Sequence, residues 1–274
     1  MARYHALFHL MDELTFATGP VRLGIDGTRM RTGLQSVLTK GLGMPVNVVA
    51  VASYADLLAQ LAAGTVHLAW MSPGLGVHAC DKLSATPLVS AVRAPGPEFY
   101  GTLFVRDDSP ITTAEQVRGT HAGWVDPYSC SGYLFPRMAL KARGFDLRGF
   151  FANQHMFGSH DAVCKAVESG AIEVGATYLN ISPAAPSTRY STSGWSSIRG
   201  STMRPILRSE PIPSDMVVAH RRLPEELKAK ATATFTAMRD DDDVVRIVRF
   251  IFGAERFEPI DIARYEIVRR ALSM

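Results

Sequence analysis

Val46 to Ala52 (VNVVAVA) run apolar almost without a break between Pro45 and Ser53, and this run constrains the fold more tightly than any other stretch. A strand with one wet face alternates, whereas a strand covered on both faces does not. The run therefore predicts a buried strand of a parallel sheet. Ser53 then offers an N-cap for YADLLAQLAAG, in which Leu57, Leu58 and Leu61 share one helical face and Gly64 marks the stop. HLAWM (67–71) reads as the next strand. Strand, helix and strand at these lengths predict an α/β fold.

The alternation continues on both sides. Leu7, Leu10, Met11 and Leu14 stand at helical spacing and predict a short helix over 3–16; VRLGI (21–25) predicts a first strand, and Met30–Leu42 a helix. TPLVSAVR (86–93), YGTLFVR (100–106) and THAGWVD (120–126) read as strands, with a short capped helix over 111–119. A strand over 150–157, a helix over 161–169 and a strand over 171–179 form a second set. The Ser/Thr/Pro/Gly-rich span 182–203 predicts a surface excursion, and 205–219 return to extended character. Three helical stretches close the chain, the second opened by the acidic run Asp240–Asp243, which reads as a cap favoured by the helix dipole.

The expected organisation is an N-terminal helical extension (1–19), a discontinuous first lobe (20–108 and 206–274) and a second lobe (109–205). Ligands of α/β sheets sit beyond the carboxyl ends of strands, and domain interfaces favour small-molecule sites. Tyr54, Ser72, Ser129, Ser131, His160 and Asn180 each stand just past an expected strand.

Trp124 to Gly170 holds two helix starts preceded by small hydroxylated residues. One offers Ser129, Cys130, Ser131 and Gly132; the other offers Gly158, Ser159, His160 and Asp161. A helix start leaves N–H groups unpaired and carries about half a positive charge, so two of them suit an anion. Ser and Asp are also ordinary N-caps, and that plainer reading stays open here.

Composition narrows the partners. The 274 residues carry 29 basic against 26 acidic side chains, a net charge of +3 with no dense basic run, which gives no footprint for nucleic acid. Cys80, Cys130 and Cys164 form neither a disulfide framework nor a CxxC motif. No apolar run reaches the length of a membrane span, so no membrane insertion is expected. His5, His9, Asp12 and Glu13 break the signal-peptide pattern, so the chain as written is expected to be cytoplasmic, or periplasmic if it is a trimmed mature form. Gly74-x-Gly76-x-x-Ala79 follows the third strand and includes Pro73 in its turn, so it reads as a strand-to-helix turn, not a dinucleotide fingerprint. His160 and Cys164 are spaced i, i+4, but no recognised zinc spacing results; no metal and no cofactor are expected. Cys130 at a helix start and His160 beside Asp161 supply the raw parts of a nucleophilic site.

At these residues the chain resembles a known family. DPYSCSGYLFPRMAL (126–140) is similar to the D-P-x-S-x-S-G-Y/F-x-x-P segment of the phosphonate/phosphite-binding proteins of ABC importers, the PhnD-like group. FGSHDAVCKAVESGAIEVGAT (157–177) resembles their G-S/T-H-D segment, and 53–73, 208–218 and LPEEL (223–227) match further stretches in order. The resemblance implies a class II periplasmic-binding-protein fold: two α/β lobes, each a mainly parallel sheet flanked by helices, with a ligand cleft between them. It implies that Ser129, Cys130 and Ser131 hold a tetrahedral oxyanion, with His160 and Asp161 opposite and Tyr54 and Tyr100 lining the pocket. Two positions that meet the ammonium group of aminoalkyl ligands fall on Asn180 and Asp215. Cys130 departs from the usual hydroxyl or small residue, and Asn180 replaces a carboxylate.

The expected function is a monomeric solute-binding protein that closes on phosphonate, phosphite, phosphate or a small phosphate ester, with an ABC permease or a sensory protein as partner. Two alternatives stand beside it. One is a cytosolic enzyme on the same scaffold using Cys130 or His160; the other is a ligand-sensing regulatory domain.

Overall fold

The computed structural model describes residues 12–19, 25–93, 98–181, 190–196, 198, 200 and 202–274. The chain divides into two compact units, Met1–Ala94 with Ser214–Tyr265, and Pro95–Pro213 with Glu266–Met274.

The first unit runs β1 (Leu14–Thr18), α1 (Ile25–Leu42), β2 (Val46–Ala50), α2 (Tyr54–Ala63), β3 (Leu68–Met71), α3 (Pro73–Leu83) and β4 (Thr86–Val92). The chain then enters the second unit with β5 (Glu98–Arg106), a 3-10 turn (Glu115–Val117), β6 (His121–Trp124), a π-helical turn (Cys130–Leu134) and α4 (Phe135–Ala142). It continues through β7 (Asn153–Met156), α5 (His160–Glu168), β8 (Val174–Ile181), β9 (Tyr190–Ser193) and β10 (Met203–Pro213). It returns to the first with β11 (Met216–Ala219), α6 (Glu225–Ala237), α7 (Asp242–Phe252) and β12 (Arg256–Pro259). A 3-10 turn (Ile262–Tyr265) and α8 (Glu266–Leu272) end it.

The first unit's sheet has the order β12-β4-β11-β3-β1-β2, with β1 parallel to β2 and β3, and β11 antiparallel to β3 and β4. The VNVVA strand is β2, parallel to β1 as expected, but it is not covered on both faces: at the sheet's outer edge Val46 and Val48 enter the core while Asn47 and Ala50 stay exposed. Ser53 caps α2 through a 3.0 Å bond to the Asp56 N–H, and Gly64 ends it with a left-handed φ of 80°. Gly76 lets α3 lie close on β11, since a Cβ there would stand 2.6 Å from the Met216 sulfur. That packing accounts for a glycine in the Gly-x-Gly turn without a nucleotide. Phe16, Phe235, Phe252, Phe257 and Trp70 interlock edge to face beneath the sheet, with Phe252 and Phe257 at 5.2 Å and 81°. Each such buried ring contributes about 1.5–3 kcal/mol through burial and about 0.5–1.5 more through its aromatic partner.

The second sheet runs β10-β5-β8-β6-β7, with β9 added on β8. Here β6 pairs in parallel with β7 and β8, while β5 pairs antiparallel with β8 and β10. Its core holds Trp124, Phe150, Phe151 and Leu140 on one face and Phe104, Val163, Cys164 and Trp195 on the other.

Further expectations change. Leu14–Thr18 is a strand, not the end of a helix over 3–16, because its residues are buried almost throughout and pair with Val46–Ala50; residues 1–11 of the expected extension lie outside the described residues. The expected strand at 21–25 falls largely on residues outside the described set, and Ile25 opens α1. The lobe boundaries at 108/109 and 205/206 shift to 94/95 and 213/214, with 266–274 joining the second unit. The reason is that β5 and β10 pair with each other from Glu98–Pro213 to Arg106–Met203, so both belong to the second sheet. Of the Ser/Thr-rich excursion, 190–193 adds a strand to β8 and 182–189 lie outside the described residues.

Candidate functional site

Asp126 and Pro127 carry the chain off the end of β6 into the Ser129 turn. Ser129 takes an extended backbone, and its Oγ accepts the Gly132 N–H at 3.1 Å. The Ser129 carbonyl accepts the Leu134 N–H five residues on, at 3.0 Å, and the Cys130 carbonyl accepts from Phe135 in the same way. These i+5 bonds make the wide turn that precedes α4; such π turns occur often at functional sites. Pro136 follows without penalty because a residue in the first turn of α4 needs no N–H bond.

Glycines permit the turn's close seat. A Cβ at Gly132 would stand 2.3 Å from Val125 Cγ2 and 2.8 Å from Ser129 Oγ; one at Gly101 on β5 would stand 3.1 Å from the Ser131 carbonyl. Ser129, Cys130 and Ser131 are all buried. The Ser131 hydroxyl makes no hydrogen bond to a described residue, and no enclosed side-chain polar atom among those residues lacks a partner. It therefore opens toward solvent from a buried residue. Burial pushes the neighbouring Asp126 carboxyl up, offset in part by N–H bonds from Tyr128 and Ser129.

His160 opens α5 behind Ser159, whose Oγ caps the Ala162 N–H at 3.2 Å. The imidazole Nδ1 lies 2.9 Å from Thr177 Oγ1 on β8, and the ring meets Tyr178 edge-on at 5.2 Å. Burial lowers its pKa to about 4, so the ring is neutral at pH 7. No hydrogen bond joins His160 to the Cys130 thiol. Asp161, exposed, pairs with Lys165 one turn on at 2.8 Å.

The remaining expected residues are placed as follows. Tyr100, on β5, lies beneath the Arg208 guanidinium at 5.1 Å. Asn180 donates from Nδ2 to Thr192 Oγ1 at 2.8 Å. In the first unit, Tyr54 opens α2 with its ring on the Gly19 backbone, where a Cβ would come within 2.7 Å. Ser72 stands at the N-cap of α3, yet its side chain makes no cap bond. Asp215 is held by Arg93, whose guanidinium also donates to Ser214 Oγ at 3.1 Å. The second unit thus brings together Ser129, Cys130 and Ser131 on one turn, and Thr177 with His160 across α5 and β8. Sequence reasoning missed Thr177, which is fully buried. Its signal was its place in the inward-facing register of β8 opposite Thr102.

Among the described residues no helix is long and apolar enough to cross a membrane. A model of the family described as "ABC transporter, phosphonate, periplasmic substrate-binding protein" matches residues 20–265. The phosphate-import protein PhnD of Mycolicibacterium smegmatis is 29% identical over 175 residues, covering 60% of this chain and 54% of that protein. The phosphonates-binding periplasmic protein of Escherichia coli is 24% identical over 199 residues, covering 70% and 56%. The chain spans about half the length of these curated relatives. Among solved structures, PhnD1 from Prochlorococcus marinus in complex with methylphosphonate has a TM-score of 0.74 at 19% identity, covering 95% of this chain and 97% of that one. At that identity the likeness speaks for the fold.

Proposed function

We propose that this chain, which belongs to the periplasmic phosphonate substrate-binding protein family of ABC transporters, binds a phosphate-type oxyanion and delivers it to an ABC permease. Its fold is that of the class II periplasmic binding proteins. The ligand class is phosphonate, phosphite, phosphate or a small phosphate ester. The observation that carries the reading is the Ser131 hydroxyl, which opens toward solvent from a buried residue and bonds no described residue, at the head of a turn whose first amides have no intrahelical acceptor.

The chemistry suits an acceptor-only ligand. Donors to a charged oxyanion are each worth about 1.5–3 kcal/mol, roughly twice a neutral bond. Ser129 already gives its lone pair to Gly132, which leaves its O–H free to donate outward. Cys130 offers only a weak thiol donor at the middle position. We assign no ammonium-binding role to Asp215, because Arg93 neutralises it, nor to Asn180, which carries no charge. The preferred ligand is therefore a plain or alkyl oxyanion and not an aminoalkyl one. We further propose that the protein acts as a monomer, and on the periplasmic side where its family is described as acting.

Thermal unfolding tests this. A ligand bound only by the folded state raises Tm by mass action, by about 2.7 kcal/mol of stability at a hundredfold excess over Kd. Methylphosphonate, phosphite or phosphate is expected to raise Tm, with chloride at equal ionic strength as the control. A flat response to all three would overturn the reading.

A further inference from the structure

Cys164 on α5, Thr177 on β8 and His160 at the head of α5 form one hydrogen-bonded row in the second unit. Thr177 is fully buried, its Oγ1 stands 2.9 Å from His160 Nδ1, and it also bonds the Cys164 thiol. The backbone at Gly194 closes over that hydroxyl, since a Cβ there would lie 1.9 Å from Thr177 Oγ1. Little room remains for water to replace either partner.

The direction of the row follows from its chemistry. A hydroxyl has one proton to give. Thiol sulfur is a weak acceptor and a neutral imidazole nitrogen a good one, so Thr177 donates to Nδ1 and takes the thiol proton on its lone pair. Burial pushes the Cys164 thiol up to about 12, which keeps that proton on sulfur at neutral pH. The ring itself is neutral there, so its tautomer decides which nitrogen donates. With Nδ1 occupied as an acceptor, the proton sits on Nε2. No described residue accepts from Nε2.

We infer that Thr177 is a positioning residue that locks His160 in the Nε2–H tautomer, so that the imidazole presents an N–H donor and selects ligands whose facing atom is a deprotonated oxygen. This rests on the oxyanion-binding reading for its ligand, though the lock itself belongs to the free protein. Tyr178, edge-on at 5.2 Å, holds the ring plane in which that N–H points.

Two-bond 1H–15N correlation spectra of the full chain read the tautomer directly, with the His160 signals assigned by their loss in His160→Gln. The wild type is expected to show a protonated Nε2 and a bare Nδ1. Thr177→Val should mix the tautomers and weaken inorganic phosphate and methylphosphonate by about fivefold or more, and Thr177→Ser should restore both. A protonated Nδ1 in the wild type, or an unchanged tautomer in Thr177→Val, would overturn the lock. Protonated Nε2 with no binding of either anion would support the lock and overturn the oxyanion reading, so the two fail separately.

Discussion

Arg93 and Asp215 meet as a guanidinium–carboxylate pair in the first unit, with Ser214 Oγ as a second acceptor of the same guanidinium. Both side chains are about four-fifths covered, so removing one leaves a largely desolvated charge. Asp215→Ala is expected to cost about 1–3 kcal/mol, less than a fully buried pair would because some water reaches the site. Urea denaturation measures it.

The same pairing bears on ligand choice. A carboxylate already neutralised by Arg93 has little attraction left for an ammonium group, and Asn180 adds none. Competition titration should find methylphosphonate bound at least as tightly as an aminoalkylphosphonate. A tenfold preference for the amine, about 1.4 kcal/mol, would contradict this.

Gly132→Ala should overpack the serine turn. The new Cβ would meet Val125 Cγ2 at 2.3 Å and Ser129 Oγ at 2.8 Å, and both neighbours are themselves buried. Overpacking of this kind costs about 1–3 kcal/mol. The variant should lose that stability in thermal unfolding and bind oxyanions more weakly, because the Ser129 bond to Gly132 is displaced.

The depressed pKa of His160 gives stability a pH dependence of definite sign. The unfolded ring takes its proton near 6.5, the folded one near 4. Between those values the unfolded state binds more protons, so stability is full above about 6.5, falls as pH drops through the window, and levels off below about 4. The loss is about 3 kcal/mol. His160→Gln should flatten that slope when ΔG is measured across the window.

Cys130 separates a receptor from a site that does chemistry. Cys130 is 2% exposed as a residue, and His160 is bonded to Thr177. Cys130→Ser should therefore fold and bind oxyanions at least as well as the wild type, since a hydroxyl donates better than a thiol. Loss of binding in that variant alone would argue that the sulfur has its own role.

The alternation from Val46 to Met71 was legible because an apolar run bounded by Pro45 and Ser53 suits a strand and a capped helix must be punctuated. The run overstated the strand's cover: as an edge strand it buries Val46 and Val48 and leaves Asn47 and Ala50 exposed. Leu14–Thr18 misled too. Its continuous burial leaves no period of two, and Leu7, Leu10, Met11 and Leu14 fit a helix equally well. The membership of β5 and β10 in one sheet was hidden because pairing between residues about a hundred positions apart leaves no local pattern. In the site, the serine turn and the His160 helix start were read from cap chemistry. The π geometry was not, since it depends on Gly101 and Gly132 admitting a close backbone approach. Thr177 was not either: it lies 17 residues past His160 on another element, and only the packing of α5 on β8 joins them.

Calorimetric titration of methylphosphonate and phosphate into the wild type and Ser131→Ala is the most direct test. Saturable 1:1 binding, weakened in Ser131→Ala by about 1.5–3 kcal/mol or 10- to 150-fold, is the predicted result. Equal affinity in the two proteins, or no heat with either anion, would contradict the account.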